Sequence, residues 1–319
     1  MAAIFVDLLG IAVTTASIAS SYAGSQKNNH ATFRVHAALN GPKEQAGTVT
    51  AAGGGAPDTR IFDEQLNFLG ANYDPGNVGD GEFRDYRINQ GNTKDPTFAL
   101  FTANDNAICI SYISVTYPSN AEYSWVGNWG KQCGHPWYYA DDFYDGKELG
   151  CTWIDANNDA TDVTAFHVHW PDFNGDNPHS NNPDDYCNNV RTLNFQFGDD
   201  PGTIYTKRSA PEGIPTSKKR SSKTRDTRLV KSKIPGQSAV ELCNSPTSYG
   251  PDFVSETEGM YCDMGSKRTM PLCPGNLLDL DSLLGGCFDL GNLTTVVDQV
   301  VDEIKEFSEI LDWGEGSIS

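Results

Sequence analysis

The chain has 319 residues, room for one sizeable core and about a hundred residues more for a second unit. It carries 23 Lys and Arg against 42 Asp and Glu, a net charge of −19, which excludes a general nucleic-acid binder because phosphate binding rests on Lys and Arg. No stretch reaches the ~18 apolar residues of a membrane-spanning helix, so none is expected.

Residues 1–23 open with an apolar run from Ala2 to Val13, broken by Asp7, and reach the small-x-small pattern Ser21-Tyr22-Ala23. They read as a signal peptide, although no Lys or Arg precedes the apolar run, and a first helix is the competing reading. Residues 24–205 follow as short apolar or alternating segments: Thr32–Leu39, Ile61–Phe68, Thr97–Thr102, Ala107–Tyr117, Glu122–Trp129, Trp137–Tyr144, Cys151–Ile154, Ala165–Trp170 and Thr192–Phe197. Each is bounded by Gly, Pro, Asn and Asp, and no 3.6-residue period joins them, so an antiparallel β-sandwich is predicted.

Residues 206–236 are rich in Ser, Lys, Arg and Pro. Ten of the 23 basic residues fall between Lys207 and Lys233 against two acids, a local charge of +8 that leaves −27 on the rest of the chain. A disordered linker is predicted. Its dibasic motifs end at Arg208 and Arg220 and are the substrate type of kexin-like secretory proteases; the plainer reading is a solvated tether. Residues 237–290 predict a small Cys-rich module that depends on its bridges. From 291 to 313, Leu293, Val296, Val297, Val300, Val301, Ile304, Phe307, Ile310 and Leu311 recur at helical spacing, predicting an amphipathic helix, with a glycosylation sequon at Asn292-Leu293-Thr294.

The eight cysteines divide evenly around the basic tract. Cys109, Cys133, Cys151 and Cys187 precede it, and Cys243, Cys262, Cys273 and Cys287 follow. No C-x-x-C occurs and the spacings do not match a zinc site, so two disulfides per module are expected, with the connectivity open.

The run Tyr123-Ser-Trp125-Val-Gly-Asn-Trp129-Gly-Lys-Gln-Cys133-Gly134, with Trp137-Tyr138-Tyr139 and Cys151-Thr-Trp153-Ile-Asp155, resembles a pattern in uncharacterised secreted proteins of filamentous ascomycete fungi. The later stretches Glu241-Leu-Cys243, Ser248–Val254, Met260–Asp263 and Cys287-Phe-Asp289 are similar to the ending of such two-module proteins. The resemblance covers about half the chain and implies an extracellular location and a two-module division; it brings no activity.

Several residue groups could carry chemistry. Trp125, Trp129, Trp137, Tyr138, Tyr139 and Trp153 concentrate six large aromatics that would stack on sugar rings if exposed, or fill a core if not. Asp155-x-Asn157-x-Asp159 and Asp172-x-Asn174-x-Asp176 place oxygen ligands at alternate positions, as calcium requires, although neither is an EF-hand and Asx-rich turns explain both. His167 and His169 share one strand face opposite Phe166, Val168 and Trp170, a spacing that suits a transition metal but is expected here on a solvated face. His30-Ala-Thr-Phe33 resembles the mature start of copper-dependent polysaccharide monooxygenases, which would need a free amino group at His30 and a second ligand from His167 or His169.

No G-x-S-x-G, H-E-x-x-H or P-loop is present, and acid–base pairs drawn from Asp141, Asp142 or Glu148 would be arbitrary. The sequence therefore leads to a secreted, non-catalytic binding or interaction protein, with a glycan or cell-surface partner favoured and a secreted, metal-dependent carbohydrate-active enzyme as the alternative.

Overall fold

Alternation of core-facing and outward residues is clear in strands such as His30–Ala37 and Phe83–Asn89 of this mainly β protein, and it lapses in Phe98–Thr102 and Val163–His169, which are buried on both faces. The computed structural model describes residues 4–6, 12–14, 29–38, 52–144, 147–156, 162–173, 180, 182–204, 226–274, 286–297 and 300–314. The chain divides into two units, residues 1–221 and 222–319.

In the first unit the strands are β1 (Ile4–Val6), β2 (Ala12–Thr14), β3 (His30–Ala37), β4 (Gly54–Gly55), β5 (Asp58–Phe62), β6 (Phe68–Asn72), β7 (Asn77–Val78), β8 (Phe83–Asn89), β9 (Phe98–Thr102), β10 (Ile108–Thr116), β11 (Glu122–Val126), β12 (Trp137–Tyr144), β13 (Lys147–Ile154), β14 (Val163–His169) and β15 (Leu193–Phe197), with short helices α1 (Asn128–Gln132) and α2 (Pro183–Cys187). One antiparallel sheet has the order β12-β13-β10-β3-β8 with β11 also on β10; the other runs β15-β14-β9-β5-β6. Their inner faces share one core. Phe33 of β3 meets Phe101 of β9 edge-on at 6.0 Å, and Trp125 of β11 stacks on Phe166 of β14 at 4.7 Å. Each such aromatic or large aliphatic side chain taken fully from water stabilises the fold by about 1.5–3 kcal/mol.

The far face of the second sheet is covered too. Phe62, Phe98, Leu100, Ala165 and Ile204 form a smaller apolar cluster there, so every residue of β9 and β14 is buried. Helix α1 lies against β13, an approach that Gly127 permits because a Cβ there would stand 2.3 Å from the Ile110 carbonyl oxygen. Trp129 of α1 stacks on Tyr186 of α2 at 4.8 Å, and the Cys133–Cys187 bridge locks the two helices together. A second bridge, Cys109–Cys151, joins β10 to β13.

In the second unit the strands are β16 (Arg228–Ser232), β17 (Asp252–Ser255), β18 (Met260–Asp263), β19 (Arg268–Pro271), β20 (Cys287–Asp289), β21 (Thr294–Val297), β22 (Val300–Ile304) and β23 (Glu309–Trp313). The sheet β19-β18-β17-β16-β23 is mixed, because β16 runs parallel to both β17 and β23. The crossover from β16 to β17 carries α3 (Ala239–Asn244), capped by Ser238, whose side chain accepts from Glu241 N. Strands β20, β21 and β22 form a three-stranded sheet. Leu229, Val254, Tyr261, Met270 and Phe288 make the core, and the bridges Cys243–Cys262 and Cys273–Cys287 complete the set, leaving no free cysteine.

Two expectations are corrected here. Residues 291–313 form β21, β22 and β23 rather than an amphipathic helix. The segment is dense in β-branched residues (Thr294, Thr295, Val296, Val297, Val300, Val301, Ile304), whose stiff χ1 favours the pleated sheet, and β23 gains a parallel partner in β16. The predicted linker 206–236 also contains β16, one of the sheet's three inner strands, because Leu229 and Val230 supply fully buried side chains that the surrounding charge concealed. Its buried Arg228 is paired at 2.8 Å with Asp226. Arg208 and Arg220 lie outside the described residues.

Candidate functional site

Strand β3 points Ala31, Phe33, Val35 and Ala37 into the core, which turns Thr32, Arg34 and His36 to the outer face of the first sheet. The register sets Arg34 opposite Asp85 and His36 opposite Phe83 on β8, and Tyr112 opposite His36 on β10. The Arg34 guanidinium meets the Asp85 carboxylate through two hydrogen bonds, 2.7 and 2.8 Å, and lies 3.8 Å from the centre of the Phe83 ring. Phe83 is 49% exposed. It is thus an open aromatic face held under a cation whose own orientation is fixed by a bidentate carboxylate. Exposed Arg87 and Asn89 continue the same side of β8.

Deeper on this face, His36 stacks on Tyr112 with ring centres 4.7 Å apart and planes 9° apart. A β-bulge between Ile110 and Tyr112 brings Ser111 Oγ to 2.7 Å from His36 Nδ1, and Asp142 Oδ2 lies 3.5 Å from the same nitrogen. Burial holds the His36 pKa below its ordinary value, against the pull of Asp142, and pushes the Asp142 carboxyl up. The Tyr112 hydroxyl is pushed up to about 12, again by burial. Serine, histidine and aspartate together suggest a charge relay, but the geometry differs from one. A relay needs the carboxylate on one ring nitrogen and the serine on the other. Here both approach Nδ1, and Ser111 is fully buried.

The sequence-predicted residues fall elsewhere. Trp125, Trp129, Trp137, Tyr138, Tyr139 and Trp153 are all at most 8% exposed, so they fill the interior and present no stacking platform. His167 and His169 do share the face opposite Phe166, Val168 and Trp170, but that face is buried rather than solvated, because the loop after α2 and the Phe98 ring cover it. His167 Nε2 lies 2.8 Å from the Val190 carbonyl oxygen. His169 bridges two carboxylates, with Nε2 3.0 Å from Glu64 and Nδ1 2.8 Å from Asp172. Burial acts to lower its pKa, and the two carboxylates outweigh that and raise it. Arg191 pairs with Glu64 in turn, and Thr192 Oγ1 donates to Asp172 at 2.6 Å.

Asp155 is buried, while Asn157, Asp159, Asn174 and Asp176 lie outside the described residues. Among the described residues no group of three or more His, Cys, Asp or Glu side chains is arranged to hold a metal ion. His30 heads β3 on the outer side of the first sheet, whereas His167 and His169 are on the far face of the second, so these histidines do not converge. Asn292 is exposed in the turn between β20 and β21.

Sequence reasoning missed the Phe83–Arg34–Asp85 group. Alternation over Thr32–His36 was readable, but β8, Phe-Arg-Asp-Tyr-Arg-Ile-Asn, has only Tyr86 and Ile88 facing the core and reads as a polar loop.

No protein-family model matches the chain, and no curated protein matches it. Among solved structures, a chain titled "Crystal structure of Delta413-417:GS LOX" and a further variant of it are 11% and 12% identical over 40% of this chain, with a TM-score of 0.23, and the match spans 17% of their own length. So low a score carries no argument about fold or activity.

Proposed function

We propose that the protein is exported and binds a glycan on the outer face of its first sheet. The observation that carries this reading is the half-exposed Phe83 ring beneath the Arg34 guanidinium. A sugar ring can lay its apolar C–H face on such an aromatic, while its hydroxyls bond to the carboxylate, guanidinium and amide groups around it; Asp85, Arg87 and Asn89 stand along β8 at that edge. Export is supported by four disulfides, which persist in oxidising compartments. Cleavage after Arg208 or Arg220 by a kexin-like protease belongs to the same reading, as a maturation step.

A carbohydrate-active enzyme is the second reading, favoured by Asp142, a carboxyl on this face whose pKa burial raises as a general acid requires. One experiment separates the two. The full chain is applied to a glycan array and, in parallel, incubated with the glycans it retains while reducing ends are counted. Binding without release of sugar, lost at least tenfold in Phe83→Ala, is the expected result. Release abolished by Asp142→Asn would establish the enzyme instead, and a binding surface indifferent to Phe83→Ala would defeat the assignment.

A further inference from the structure

We infer that Asn292 carries an N-linked oligosaccharide that covers the apolar edge strand β22. The inference begins at that strand, not at the sequon. All five residues of Val300–Ile304 are exposed, with Val300 at 65%, Val301 at 54% and Ile304 at 69%. It is an end strand of its sheet, and among the described residues no strand pairs with its other edge. An apolar strand with free backbone donors and acceptors is a template for pairing with another chain, and stable proteins cover or charge such edges. Its two acids, Asp302 and Glu303, are the only charges on the strand; Glu303 is held 3.0 Å from Lys305, and among the described residues Asp302 makes no ion pair.

The chain's single N-x-S/T triplet lies at the end of this hairpin. Thr294 pairs with Ile304, and Lys305 N donates to Leu293 O at 2.9 Å, so Asn292 stands one residue beyond the ladder at the Ile304 end. Asn292 is exposed and its Nδ2 donates to Asp289 Oδ2 at 2.7 Å. An amide has two hydrogens, so replacing one by a sugar leaves the other for Asp289. From Ile304 back to Val300 the strand covers about 13 Å, a span that an oligosaccharide of several rings can lie along.

The transfer balances with a lipid-diphosphate-linked oligosaccharide as donor. Asn292 Nδ2 bonds to the anomeric carbon, the bond from that carbon to the diphosphate oxygen breaks, the amide gives up one proton, and lipid diphosphate leaves. Because this happens on the unfolded chain inside the secretory pathway, burial of Thr294 in β21 is no obstacle.

The inference rests on the export proposed above, and the test keeps the two apart. The full chain with its own N-terminus is produced in a eukaryotic cell and the peptide containing Asn292 is mapped by mass spectrometry. A glycopeptide is expected. Protein recovered from the medium with Asn292 bare overturns the glycan and leaves export standing; chain retained inside the cell with free thiols defeats export and this inference with it. Shielding is read separately by sedimentation of folded protein before and after an endoglycosidase trims the glycan to one sugar, which changes no residue. Trimmed protein should self-associate at a concentration at least tenfold lower, and Val301→Lys with Ile304→Lys should reverse that. Equal behaviour before and after trimming would overturn the shielding role.

Discussion

Acidification should destabilise the first unit through His167. This imidazole is fully buried on β14, its Nε2 2.8 Å from Val190 O and its ring edge-on to Phe98. Burial pushes its pKa from 6.5 down to about 4, the carbonyl oxygens of Val190 and Arg191 oppose that shift, and the nearby His169 reinforces it. For a base with a depressed folded pKa, the unfolded chain takes up the proton first. Stability is therefore complete above about pH 6.5, falls as pH drops, and levels off once the folded state is protonated near pH 4. Across that window the loss from this residue is about 3 kcal/mol. His135, also held to about 4 by burial, acts in the same direction. His169, raised by its carboxylates, acts in the opposite one, its contribution being complete below its unfolded pKa and lost as pH rises through the folded value. In His167→Gln the titrating group is gone and a donor remains. Urea unfolding of wild type and variant at steps from pH 7 to 4 checks this: the variant should start less stable and draw level by about 3 kcal/mol as pH falls. Parallel curves would refute the buried neutral imidazole.

Other consequences are open to direct measurement. Unreduced native protein should show no titratable thiol, and replacing Cys273 and Cys287, which close a loop with a separation of 14 residues, should cost about 3 kcal/mol of stability by denaturant titration. Lys305, buried and 2.7 Å from Asp263, should be expensive to lose: Lys305→Ala removes the ammonium from a buried carboxylate and should destabilise the second unit by about 3 kcal/mol, with Lys305→Arg milder. Asp172 already accepts from Thr192 and pairs with His169, so Asp172→Ala should lower the melting temperature equally in chelator and in millimolar calcium. A loss confined to calcium would assign the Asp172–Asp176 loop to the ion instead.

Legibility along this chain follows from how local the decisive forces are. Alternation in β3, and the continuous apolar run Phe-Ala-Leu-Phe of β9, announce strands because each side chain reports its own burial. The charged strand β8 does not, since its place depends on pairing with β3 about fifty residues earlier, and its outward Phe83 and Asp85 gain meaning only once that register brings Arg34 between them. The tail from Leu293 to Leu311 shows the converse. Apolar residues spaced three and four apart satisfy a helical wheel as readily as three short strands, and the tie was broken by β-branched side chains and by the partner strand β16, both outside the periodicity. The aromatic cluster around Trp125 and Trp137 was visible as composition, while which way the rings face is a property of the packed sheets. By itself the sequence determined an acidic, mainly β chain with eight cysteines split evenly about a basic tract, because charge, composition and period act residue by residue. Tertiary structure alone decided which cysteines meet, which histidines are buried and which aromatics are left open, because those depend on contacts between segments that the sequence keeps far apart.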